Sequence, residues 1–171
     1  MLTIVLALLI VFLTMIVEAG ISSRHEQVLR RRGAIEPADD AYNVMRFAYP
    51  GCFFAMALEG MLQRPADSRP ALTLGLTIWG TAKALKWWAM TSLGSRWSFR
   101  VLVLPDDPLV SSGPYRYLRH PNYLAVCGEL IGVAIVLRAM IAGAAAVVGF
   151  GSLMLWRLRI EERALARRRR S

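Results

Sequence analysis

The first 21 residues, MLTIVLALLIVFLTMIVEAGI, contain one charged side chain, Glu18. Crossing the hydrocarbon core of a bilayer takes a helix of about 20 predominantly apolar residues. In that core every backbone N–H and C=O must be paired within the protein, so a run of this kind commits the chain to helices. The rival reading, a cleaved signal peptide, expects a basic start and a shorter apolar stretch, and this segment has neither. Four more apolar stretches follow: roughly 42–62, interrupted by Arg46, Pro50 and Glu59; roughly 71–90, ending in KALKWWAM; roughly 122–137; and roughly 139–158. The expected fold is all-α, a polytopic transmembrane helical bundle of about five spans. Only Arg138 and its neighbours separate the last two spans, which gives a C-terminal helical hairpin, followed by an amphipathic tail helix. The 171 residues read as one domain, 1–171, with three spans in 1–90 and a loop, the hairpin and the tail in 91–171.

The net charge is +9. In a soluble chain that would point to nucleic acid, but here 56% of residues are hydrophobic and the basic ones flank the apolar stretches. That placement fits the positive-inside rule and anionic headgroups instead. Fifteen of the 21 basic residues fall in 22–41, 91–121 and the tail, and three (Arg64, Arg69, Arg138) fall in the alternate connections. Five crossings put the rich regions on one side, expected to be the cytoplasmic face of a bacterial inner membrane, with the C-terminus inside. Membrane lipids are the expected partners, with no nucleic acid and no obligate protein partner. Cys52 and Cys127 lie in apolar runs and fit neither a disulfide framework nor a zinc pattern. His25 and His120 alone make a metal site unexpected. Lys83 and Lys86 are expected to snorkel, and Arg46 and Glu59 to snorkel or pair with each other. The five Trp read mainly as an interfacial belt.

The chemistry concentrates in SSGPYRYLRHPNYLAVCGELIG, residues 111–132. Its polar, Pro- and Gly-containing start is loop. Pro121 suits the first turn of a helix, where its missing N–H costs nothing. A helix N-terminus offers N–H groups and a positive dipole end to an anionic group, and Arg119 and His120 stand beside that seat. From Asn122 to Arg157 there are 36 residues, or about 54 Å of helix, enough for two crossings of about 27 Å. The hairpin therefore returns RLRIEERAL to the face where RHPNY lies. Gly128 and Gly132 form a GxxxG suited to close helix approach, with Ala142, Gly143, Ala145, Ala146 and Gly149 of the last span as expected partners. Glu129, a carboxylate inside a span, is a functional candidate by default.

GPYRYLRHPNYL followed about 40 residues later by RIEERAL resembles the isoprenylcysteine carboxyl methyltransferase family. Its wider relatives include phospholipid methyltransferases and bacterial methyltransferases of alkylpyrones and alkylresorcinols. The resemblance covers about residues 85–166. It implies a membrane enzyme using S-adenosylmethionine, with the RHPxY loop and the EE segment enclosing the cofactor. Carried over, the cofactor contacts are Leu109, Val110, Tyr115, Arg119, His120, Pro121, Tyr123, Glu161 and Glu162. Glu161 or Glu162 would accept from the ribose hydroxyls or the ammonium, and Arg119 or Arg159 would hold the carboxylate. The carboxyl methyltransferases usually run on past the EE pair with an aromatic tail, whereas this sequence stops at Ser171. That difference favours a smaller lipid over isoprenylcysteine. The expected reaction is O-methylation of a hydroxyl or carboxylate on a lipophilic acceptor, with Arg46, Arg119 or Arg159 steadying the anion. The rival class is a non-catalytic membrane scaffold or transporter subunit of the same topology.

Overall fold

A computed structural model of the chain describes residues 1–36, 41–63, 68–104 and 110–168, with side chains through Ile160. It contains five α-helices: α1 (Leu2–Arg31), α2 (Tyr42–Gln63), α3 (Arg69–Leu93), α4 (Pro121–Leu137) and α5 (Met140–Arg168). Two short 3-10 turns, Gly94–Arg96 and Gly113–Arg116, lie between α3 and α4. One isolated antiparallel bridge joins Ile35 to Val103.

The helices follow the apolar stretches in order and type, as expected, but two run further. α1 continues past Ile21 to Arg31. α5 continues to Arg168, so the tail is the end of the hairpin's second arm rather than a helix of its own. No Pro or Gly follows Gly151 in α5, and nothing else there stops a helix. α1 and α5 are long and apolar enough to cross a bilayer, whereas α4 is apolar but has only 17 residues. α2 and α3, with 22 and 25 residues, are long enough but less apolar, and they carry Arg46, Glu59, Lys83 and Lys86. On length and composition, two of the described helices qualify as spans.

The most extensive helix contact is α3 against α4. A Cβ added at Gly132 would lie 2.7 Å from the Trp79 amide nitrogen and 2.8 Å from the Gly75 carbonyl oxygen. At Gly128 it would lie 2.8 Å from Ala82 Cβ. The GxxxG surface therefore seats α3, not α5 as expected; α5 meets α4 elsewhere, through Gly143 against Ala134. Arg138 makes the hairpin turn in the left-handed region (φ 54°, ψ 31°), and the Ala139 N–H donates to the Ala134 carbonyl at 2.9 Å. Glu59 of α2 caps the start of α5, accepting from the Ile141 N–H at 3.1 Å and the Ala142 N–H at 2.5 Å. It does not pair with Arg46, whose guanidinium lies 4.5 Å over the Phe47 ring. Phe53, Met56, Leu130, Val133, Phe150 and Met154 fill the core. Leu9, Leu13, Phe54, Leu58, Leu74, Leu124, Val148 and Leu155 are exposed, so every helix turns large apolar side chains outward.

Candidate active site

A cavity of about 930 Å³ lies inside one end of the bundle. Sites for small molecules usually occupy about 300–1,000 Å³. Its cover is the segment 96–104 that follows α3. Trp97 is buried and meets Phe99 edge-on at 5.1 Å. α1 holds this cover by several bonds. The Phe99 N–H donates to Ser22 Oγ at 2.8 Å, and His25 Nδ1 lies 2.9 Å from the Trp97 carbonyl oxygen. Beyond α1, Ile35 and Val103 exchange backbone hydrogen bonds at 2.9 and 3.0 Å. Arg100 stacks 4.4 Å over the Tyr42 ring and pairs with Glu36, which also pairs with Arg30. Partial burial pushes the Glu36 carboxyl up, but the two arginines outweigh it and hold the group below its ordinary range.

The wall opposite the cover is the start of α4. Pro121 occupies the first turn and His120 is the N-cap, with no side-chain cap bond. The His120 ring stacks on Tyr123, 5.5 Å between centroids and 13° between planes. Gly113, with φ 60°, brings its short turn against α3, where a Cβ would lie 2.0 Å from Ser92 Oγ. That turn carries Tyr115 to the cavity. From α5 comes Arg157, and Asn122 contributes Oδ1, a buried oxygen with no hydrogen-bond partner among the described residues.

The floor is ionic. Glu18 of α1, Lys83 and Lys86 of α3 and Glu129 of α4 are all buried. Lys83 Nζ lies 2.7 Å from Glu18 Oε1 and 2.9 Å from Glu129 Oε2. Lys86 Nζ lies 2.6 Å from Glu18 Oε2 and 3.2 Å from Glu129 Oε1. The Tyr49 hydroxyl donates to Glu129 Oε2 at 2.6 Å. Charges balance, and each carboxylate spans both ammonium groups. Removing one partner of such a buried set typically costs about 3–5 kcal/mol. The two lysines do not snorkel as expected: carboxylates on two other helices hold them inside. Glu18, Tyr49 and Lys86 line the cavity.

Of the residues expected at a site, Val110, Tyr115, Arg119, His120, Pro121, Tyr123 and Arg46 line this one cavity. Arg159 is exposed and does not line it, while Arg157 does. Two residues along a helix turn the side chain by about 200°, so these arginines cannot face the same way. Leu109 and the side chains of Glu161 and Glu162 lie outside the described residues. Asn122, Arg157, the cover segment and Glu18, Tyr49 and Lys86 were not expected at the site. Glu18 and Glu129, single carboxylates within apolar runs, were its legible signal.

The profile of the isoprenylcysteine carboxyl methyltransferase (ICMT) family matches residues 73–167. Two bacterial relatives are also similar. The uncharacterized protein YpbQ of Bacillus subtilis is 28% identical over 148 residues, covering 86% of this chain and 88% of the relative. An uncharacterized protein of Haemophilus influenzae is 27% identical over 148 residues, covering 86% of each. No solved structure matches the chain. The family's methyltransferases generally use S-adenosylmethionine. With more than half its length matched and with α1 and α5 apolar enough to cross a bilayer, the chain belongs to the isoprenylcysteine carboxyl methyltransferase family, and so is a membrane protein and a methyltransferase.

Proposed function

We propose that the protein transfers a methyl group from S-adenosylmethionine to an oxygen, hydroxyl or carboxylate, of a lipophilic acceptor. The observation that carries this reading is the convergence of Arg119, His120 and Asn122 from the start of α4 with Arg157 from α5 on one cavity. S-adenosylmethionine fits that donor set, because it presents a carboxylate, an ammonium, a ribose diol and an aromatic base. Arg119 or Arg157 would hold the carboxylate, with the α4 N-terminus adding its dipole. The unpartnered Asn122 Oδ1 would accept from the ammonium or a hydroxyl, and Trp97 and Phe99 offer rings to the base. When bound, the cofactor supplies an electrophilic methyl group. The protein's own part is to align the acceptor oxygen with it and exclude water, which is where most of the acceleration in such a displacement arises.

Exposed apolar side chains on all five helices support a bundle embedded throughout, with α2, α3 and α4 crossing alongside α1 and α5. The basic end would face the cytoplasm of a bacterial inner membrane, and the acceptor would enter from the bilayer while the cofactor enters from water. No protein partner is needed for this chemistry. Isothermal titration of the detergent-solubilised protein with S-adenosylmethionine tests the reading. Wild type should bind, and His120→Ala and Arg157→Gln should each weaken binding by about 10–100-fold, the loss of one charge-assisted hydrogen bond. Wild-type protein that binds no S-adenosylmethionine would sink it.

A further inference from the structure

We infer that Glu18 and Lys86 form the site that takes the acceptor's reacting oxygen, with Lys86 holding that oxygen and Glu18 receiving its proton. The inference rests on the proposed methyl transfer and assigns its acceptor half. The cavity has two chemically different ends. At the mouth stand Arg119, His120, Asn122 and Arg157. At the floor stand Glu18, Tyr49 and Lys86, tied to Glu129. Glu129 lies nine residues after His120, so the floor is about 13 Å further along α4. That depth suits a group carried in by an apolar molecule, and Met15, Val126, Phe150 and Met154 line the same cavity.

The network's own valences point to the ligand. An ammonium has three N–H donors. Lys86 directs two of them at carboxylates, which leaves one without a carboxylate partner on a group that lines the cavity. Glu18 meets one ammonium at each oxygen, Lys83 at 2.7 Å and Lys86 at 2.6 Å, and a carboxylate oxygen can accept a second hydrogen bond, so Glu18 keeps acceptor capacity beside Lys86. A spare donor beside a spare acceptor matches a hydroxyl, which accepts from the one and donates to the other. Charge points the same way. Two lysines and two glutamates already balance, so a neutral hydroxyl enters without disturbing them. A carboxylate would face Glu18 with like charge and leave the buried set one charge out of balance. As the acceptor's O–CH₃ bond forms, its O–H bond breaks and the proton passes to Glu18. The electron pair of the broken C–S bond stays on the donor's sulfur. Glu18 is then neutral and sheds the proton to water through the cavity. The interior charge therefore changes only when that proton leaves, which restores the resting state. A set of ion pairs serving only to staple helices has no need to open onto the cavity, yet three of these five groups do.

The test uses three probes of one chain length, an alkylresorcinol, an alkylbenzoate and an alkylbenzene. Equilibrium binding to the full-length protein in detergent is measured, with S-adenosylhomocysteine binding read in parallel. Wild type should bind the alkylresorcinol more tightly than either other probe. Lys86→Met, alone or paired with Glu18→Gln to keep the charge balanced, should lower alkylresorcinol affinity by at least about 10-fold. The same variants should leave alkylbenzene affinity unchanged. Glu18→Gln, which keeps an acceptor oxygen but is a far weaker base, should retain alkylresorcinol binding while kcat falls by about 10²–10⁴. A purely structural role would move all probes together or none. Equal wild-type affinity for resorcinol and benzene, preference for benzoate, or parallel losses across probes would overturn the inference. The wild-type comparison needs no variant to fold. Intact S-adenosylhomocysteine binding in any of these outcomes would leave the cofactor half standing, whereas its absence in wild type would count against the proposed function itself.

Discussion

Glu36 sits between Arg30 and Arg100, where α1 ends and the cavity cover begins. Its carboxyl is held below the ordinary range because the two guanidiniums outweigh the effect of burial. A group with a lowered folded-state pKa stabilises the fold above its unfolded value, and that contribution is lost as pH falls through the lowered one. Wild type should therefore lose melting temperature from about pH 5 downward, and Glu36→Gln should start lower at pH 7 and show a shallower acid loss. Melting by intrinsic fluorescence in detergent at several pH values checks this, and parallel curves for the two proteins would remove Glu36 from the account. Residues differ in how far sequence exposes them. His120 and Tyr123 were legible because RHPNY is local: the Pro that starts α4 also fixes what surrounds it. Lys86 was not, because a lysine within an apolar stretch reads as snorkelling until carboxylates from other helices are found beside it. Arg157 and Arg159 differ only in helical phase, which needs the orientation of α5 to resolve.

Gly132 shows the same division at the level of the helix. GxxxG announces a close helix contact but not the partner, since small residues on α3 and α5 qualify equally by composition. In the fold it is α3 that fills the notch, backbone against backbone. Gly132→Ala should destabilise by about 1–3 kcal/mol, because the Trp79 amide and Gly75 carbonyl cannot step aside as a flexible side chain would. Gly80→Ala on α3 is the matched control. No atom lies within 4 Å of an added Cβ there, and replacing a mid-helix Gly should stabilise by about 0.5–1 kcal/mol. Thermal shift of both variants decides it, and equal behaviour would mean that the α3–α4 contact is looser than described. Helix identity was legible throughout because apolar runs of this length have few alternatives. Helix ends were not, because α1 and α5 continue past their apolar segments into charged sequence that still favours helix, and apolarity alone carries no stop signal.

Across the whole molecule the helices alternate in direction, and their ends sort into two groups. The cavity end collects the end of α1, the starts of α2 and α4, the end of α3 and the Arg157 region of α5, as the Ile35–Val103 bridge and the shared lining residues require. The far end collects the start of α1 and the ends of α2 and α4: a Cβ at Gly60 would meet both Leu137 and Ile4. In the sequence, fifteen of the 21 basic residues fall in 22–41, 91–121 and the tail, against three in the alternate connections. Such a bias sets orientation during insertion, with the rich end retained in the cytoplasm. Cysteine substitutions at Arg69 and Ser111, in a background with Cys52 and Cys127 replaced, should therefore label asymmetrically with a membrane-impermeant maleimide. The Arg69 position should react in intact cells, and the Ser111 position only after lysis. A C-terminal tag should behave like Ser111, because α5 returns to the end at which α4 began. Labelling of Ser111 and the C-terminal tag from outside would reverse the orientation while keeping the shared end. Labelling of only one of them would separate the start of α4 from Arg157 across the membrane, and with it dissolve the cavity wall that both are needed to build.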